Sequence, residues 1–123
     1  MFYLGGLFAL DGIAVWNFGT EDSNPDYAVR DVTLEYSVDG VGFNPLGAFS
    51  LTNPNFAVNT FAQLLTFSMV DAQYIRMNIL STYGRDAALG EVAFRIRVPE
   101  PGTLALLGFG LAGLGLRRRR LPA

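Results

Sequence analysis

Apolar and polar residues alternate with a period of two along much of the first 98 residues. That pattern marks strands with one face buried and one face wet. Over residues 31–38, Val32, Leu34, Tyr36 and Val38 share one face, and Asp31, Thr33, Glu35 and Ser37 share the other. Over 72–80, Ile75, Met77 and Ile79 form an apolar row with Arg76 and Asn78 opposite. Over 91–98, Val92, Phe94, Ile96 and Val98 face in, while Glu91, Arg95 and Arg97 face out. Further strands are predicted over 12–18, 43–49 and 62–69. A less regular one covers 3–10, where Gly5 and Gly6 interrupt the pattern. Turn formers separate them: Ser23-Asn24-Pro25-Asp26, Asp39-Gly40, Asn53-Pro54-Asn55 and Tyr83-Gly84. Short antiparallel strands at this spacing predict an all-β sandwich or barrel over residues 1–98.

The pattern breaks at Pro99-Glu100-Pro101, where two prolines stop any arriving strand or helix. Residues 102–116 then carry no charge, and Thr103 is their one polar side chain. Arg117, Arg118, Arg119 and Arg120 follow. As a helix, the uncharged run would span about 22 Å at roughly 1.5 Å per residue. A hydrocarbon core is about 30 Å thick, so the run is short for a lasting anchor. Flanking arginines can snorkel and the bilayer can thin to accept it. A buried core helix is the alternative, but it would normally keep a polar face, and this run has none. The chain therefore divides into a body, 1–98, and a tail, 99–123, with a membrane helix expected over 102–116 and the four arginines on the cytoplasmic side.

Composition narrows the chemistry. The chain has no His, no Cys and no Lys. Zinc sites built on His or Cys, thiol nucleophiles, Ser-His-Asp triads and lysine Schiff bases are excluded. The formal charge of −2 hides an asymmetry: the body carries five Arg and ten acids, the tail four Arg and one acid. An acidic body is a poor nucleic-acid binder, so no nucleic-acid partner is expected. Glu21, Asp22 and Asp26 are close in sequence, but acids on one loop do not flank a scissile glycosidic bond. The chain is read as a non-enzyme.

The tail resembles the PEP-CTERM sorting signal of Gram-negative bacteria. Pro99-Glu100-Pro101, the hydrophobic run and Arg117–Arg120 occur in its order and spacing. The resemblance implies that an exosortase, a membrane-embedded cysteine protease, cuts near Pro99, Glu100 and Pro101. The chain would be its substrate. It would sit transiently in the inner membrane and then pass to the cell envelope or extracellular matrix. Export needs a leader, and the start, MFYLGGLFALDGIAVW, lacks a basic n-region and a clear cleavage site. The start is read as domain sequence, with a weak signal peptide as the alternative. The expectation is a chain shortened at its N-terminus.

Two stretches of the body carry a second resemblance. One is Ile13-Ala14-Val15-Trp16-Asn17-Phe18, then Arg30 to Gly40, then Phe43 and Leu46-Gly47. The other is Ala72-Gln73-Tyr74-Ile75-Arg76-Met77-Asn78-Ile79, then Tyr83-Gly84 and Leu89-Gly90-Glu91-Val92-Ala93-Phe94. Together they resemble discoidin-like (F5/8 type C) domains of the galactose-binding-like jelly-roll superfamily. The implied fold is an antiparallel β-sandwich, incomplete at its N-terminus. The implied role is binding of an extracellular polysaccharide or surface glycan. The family often places a calcium ligand at the position of Glu91, so a structural Ca²⁺ in the full-length domain is implied; the alternative for Glu91 is a solvent-facing strand residue.

Five residues are candidate ligand contacts. Trp16 and Asn17 would line a sugar surface, or Trp16 would belong to the core. Arg76, beside Asn78, would hydrogen-bond hydroxyls or a carboxylate, or serve solubility alone. Tyr83 and Arg85 lie in one of three loops, 20–27, 53–59 and 82–88, which also hold Glu21, Asp22, Asp26, Asn55, Asn59 and Asp86. Loops at one end of a rigid sandwich commonly carry binding. The expected function is carbohydrate or polymer binding by an exported protein. The alternatives are a structural matrix or adhesion protein without a discrete ligand, and a non-functional fragment.

Overall fold

A computed structural model describes residues 1–19, 27–54 and 61–98. The expected helix 102–116, Pro99, Glu100, Pro101, Arg117–Arg120 and the loop residues Glu21, Asp22, Asp26, Asn55 and Asn59 lie outside them. The described chain is all-β, with strands β1 (Phe2–Asn17), β2 (Asp31–Ser37), β3 (Asn44–Ser50), β4 (Gln63–Ile79) and β5 (Leu89–Ile96). They form one antiparallel sheet in the order β3-β2-β4-β1-β5.

That sheet is folded over into a sandwich. Straight, the 17 residues of β4 would hold their ends about 50 Å apart. Yet Gln63, at one end, donates from Nε2 to the Ser50 carbonyl at 2.9 Å. Ser50 pairs with Asp31, beside the other end of β4. β1 and β4 therefore bend together. Register shifts in the β1–β4 ladder fall between Tyr3 and Phe8 and between Leu10 and Gly12. One layer is β3, β2 and the second half of β4 with the start of β1. The other is the first half of β4, the second half of β1 and β5.

The buried set moves by one position in β4 at both shifts and in β1 at the second alone, as a bulge allows. In β1 the inward residues are Phe2, Leu4, Phe8 and Leu10, then Ile13 and Val15. In β4 they are Leu65 and Phe67, then Val70 and Ala72, then Ile75 and Met77. Leu10, Ile13, Val15, Val29, Val32, Leu34, Leu51, Leu65, Ala72 and Ile75 make one buried cluster drawn from both layers. Four of the predicted strands are thus two: 3–10 joins 12–18, and 62–69 joins 72–80. The breaks in alternation mark bends within strands.

Five facing assignments also change, one of them Ile79, which is exposed rather than part of the inward row with Ile75 and Met77. Val38 lies beyond β2 and is exposed, whereas Ser37 is fully buried. The Ser37 hydroxyl donates to Asp39 Oδ1 and accepts from the Gly40 amide at 2.8 Å, closing the turn over itself. Gly40 has φ +79°, and a Cβ there would lie 3.1 Å from the Tyr74 ring. Ile96 and Val98 are exposed rather than inward.

Candidate functional site

The structure distributes the five candidate contacts over three places. Asn17 is buried, and its amide braces the end of β1. Nδ2 donates to the carbonyls of Val29 and Thr52, at 2.7 and 3.0 Å. Oδ1 accepts from the amides of Val29 and Phe18, both at 3.0 Å. These bonds tie together the stems of the loops that follow β1 and β3. Asn17 is a structural brace and does not line a ligand surface. Trp16 is half-buried outside the core cluster. It faces away from Ile13 and Val15 and pairs with Glu91 across β1–β5. Gly90 makes that approach possible, since a Cβ there would lie 2.9 Å from the Trp16 carbonyl oxygen. Glu91 itself is exposed. Among the described residues no group of three or more acidic side chains converges for a metal.

Tyr83 and Arg85 stand at the same pole as Asn17. The Tyr83 hydroxyl donates to the Leu51 carbonyl at 2.7 Å, and the Tyr83 amide donates to that of Ala28. The Arg30 guanidinium lies 5.8 Å from the Tyr83 ring centre. Phe18 and Tyr27 meet edge to face at 6.1 Å. The described stems of all three predicted loops therefore converge at this end, the loop pole. Arg85 is exposed there and engaged with a neighbour.

Arg76 heads the best-defined polar cluster, on the outer face of β2 and β4. Register sets Glu35 opposite Arg76 and Thr33 opposite Asn78. Arg76 Nε donates to Glu35 Oε2 at 2.7 Å, and Asn78 Nδ2 donates to the same oxygen at 2.7 Å and to Thr33 Oγ1 at 3.2 Å. The guanidinium also lies 3.9 Å from the centre of the Phe43 ring. Arg76 and then Asn78 hold the Glu35 carboxyl below its ordinary pKa, and Glu35 in turn raises that of Arg76. The pair stays charged, and its charges sum to zero.

What the cluster leaves open matters more than what it satisfies. Among the described residues nothing hydrogen-bonds the two terminal nitrogens of Arg76, Glu35 Oε1 or Asn78 Oδ1. Donors and acceptors are fixed in place and face solvent. Along β4 the same face continues to Tyr74, whose ring lies 5.0 Å from that of exposed Tyr3. Tyr74, Arg76 and Asn78 thus form a row about 14 Å long. Arg76 and Asn78 were legible as an outward polar pair. Glu35, Thr33, Phe43 and Tyr3 were missed as partners because only pairing between strands brings them there, whereas Tyr74 follows from the alternation of β4 itself and was overlooked.

A second cluster marks the opposite end, the bend pole. Asp11 occupies the β1 bulge and accepts from Arg95 Nε at 2.5 Å and Arg97 Nε at 2.6 Å. Arg97 first and Arg95 second keep its carboxyl below the usual range. The Arg97 amide donates to the Ala9 carbonyl at 2.8 Å. β5 thus ends at this pole, and the tail departs from it.

A PEP-CTERM protein-sorting motif matches residues 97–120. The motif begins one residue after β5 ends. It marks the chain for export and for sorting through its C-terminus, and it is an exosortase substrate signal. The fold is similar to the crystal structure of the C-terminal domain of a chitobiase from Bacteroides fragilis, with a TM-score of 0.61 and 24% identity. The match covers 78% of this chain and 60% of that one, and at that identity it carries the fold alone. Among curated proteins nothing matches the chain.

Proposed function

We propose that the body is a non-catalytic, discoidin-like module that binds extracellular polysaccharide after export, and that an exosortase releases it to the cell envelope or matrix. The observation that carries the reading is the outer-face row. It holds a fixed guanidinium, a fixed carboxylate and a fixed amide, each with open hydrogen-bonding atoms, beside two tyrosine rings. Sugars present hydroxyls that both donate and accept, and C–H faces that stack on aromatic rings, so this set is complementary to them. Because Glu35 and Arg76 neutralise each other, the favoured ligand is a neutral glycan. The chitobiase-domain likeness and the strand motifs support the same direction. The absence of His, Cys and Lys from the sequence supports a binding role over catalysis.

The test is affinity electrophoresis of the full chain, in mild detergent, through gels containing neutral or acidic polysaccharides. Retardation by a neutral polymer is expected. Arg76→Ala should weaken it at least about tenfold, since charge-assisted hydrogen bonds contribute roughly 1.5–3 kcal/mol. Tyr3→Ala should weaken it less. Unretarded migration in every gel would leave a structural matrix protein as the better account.

A further inference from the structure

The tail leaves the body at a particular place, and apolar side chains are exposed there. β5 starts beside Asn17 at the loop pole and ends beside Leu10 at the bend pole. The last described residue is Val98, and the uncharged run of the tail starts at Gly102. The intervening chain reaches at most about 14 Å even when fully extended. While the run is held in a bilayer, the bend pole must therefore lie against the headgroups.

The side chains there suit that position. Leu7 is 59% exposed, Met69 65% and Val98 76%, with Ile96 also exposed. They come from three strands that meet at Leu10, which pairs with Val70 on one side and Ile96 on the other. The bend exposes Met69, which falls where the inward parity of β4 changes between Phe67 and Val70, while Leu7 continues the outward row of Tyr3 along β1. The nearby charges nearly cancel: Arg95 and Arg97 hold Asp11, and exposed Asp71 pairs with Ala9.

We infer that the bend pole is a membrane-docking surface, seated through Leu7, Met69, Ile96 and Val98 on the lipid interface until the tail is cut. The inference rests on the reading of residues 102–116 as a membrane tether. The contact is apolar, at the depth where amphipathic surfaces settle, roughly 5–10 Å into the headgroup boundary. Docking orients the body, with the bend pole on the lipid and the loop pole pointing away from it.

The chain has no Cys, so single labels can be placed cleanly. Full-length variants Leu7→Cys, Met69→Cys, Leu80→Cys and Phe61→Cys would carry a polarity-sensitive fluorophore. They would be incorporated into phosphatidylcholine–phosphatidylglycerol vesicles, with and without brominated acyl chains. Leu80 and Phe61 are 64% and 96% exposed and stand beside Asp31 and Gln63 at the loop pole, which makes them controls. Labels at 7 and 69 should lose roughly half their emission to brominated lipid, at the interfacial depth expected, and labels at 80 and 61 should keep theirs. Equal emission at all four sites in vesicles that carry the protein on flotation would overturn the docking but leave the tether. Protein that does not float with vesicles would overturn the tether and the docking together. Met69-to-Met69 label transfer between copies in lipid-free solution would assign the patch to self-association and overturn the inference.

Discussion

The two poles of the sandwich are closed by different chemistry. At the loop pole, a buried neutral amide, Asn17, satisfies backbone groups of Val29, Thr52 and Phe18. At the bend pole, a carboxylate in a bulge holds two arginines near the surface, beside bare apolar side chains. Buried backbone groups cost much when orphaned, whereas ion pairs at the surface contribute little and are screened. The described stems at the loop pole are therefore held by bonds that are costly to break. The bend pole is held by its inner residues and leaves its outer ones available.

The largest expected effect tests that division within the bend pole itself. Leu10→Ala should destabilise the fold by about 2–5 kcal/mol in chemical denaturation, while Met69→Ala stays within about 0.5 kcal/mol. Next comes the loop pole. Asn17→Ala orphans the Val29 amide and carbonyl and should cost about 1–3 kcal/mol, with no dependence on salt. Asp11→Asn should cost less than either. Its effect should vanish near about 1 M NaCl, where the Debye length is about 3 Å. The smallest effect is a pH dependence. Because the folded Asp11 carboxyl is held below its ordinary value of 3.8 by Arg97 and Arg95, its stabilisation is fully present above the unfolded value. It is lost as pH falls through the folded one, so it should be complete above about pH 5 and decline below. Thermal melts of Asp11→Asn and the parent chain should converge at low pH, and those of Asn17→Ala and its parent should stay apart.

The strands themselves were legible, because alternation depends only on which face meets water. Where alternation failed, its meaning was not. A parity change at Asp11, or at Ser68-Met69 and Gln73-Tyr74, looks like the end of one strand and the start of another. The ladder shows a bulge inside one long strand, and only the partner's register tells the two apart. The same limit governs the candidate site. Arg76 and Asn78 could be placed on an outward face from their own strand. Glu35 is 41 residues from Arg76 along the chain, and no local pattern connects them. Asn17 was expected, with Trp16, to line a sugar surface, and its own strand does not show what its amide meets. Here it meets three backbone segments.

The continuity of β1 and β4 has a mechanical consequence. A tether pulling on Val98 loads β5 along its own axis. Its ladder bonds to β1 lie across that axis and resist together, in shear. β1 passes the load to β4 across a second ladder, and β4 carries it unbroken to Tyr74, Arg76 and Asn78. Force entering at the tail thus reaches the row proposed to grip a polymer without crossing a loop.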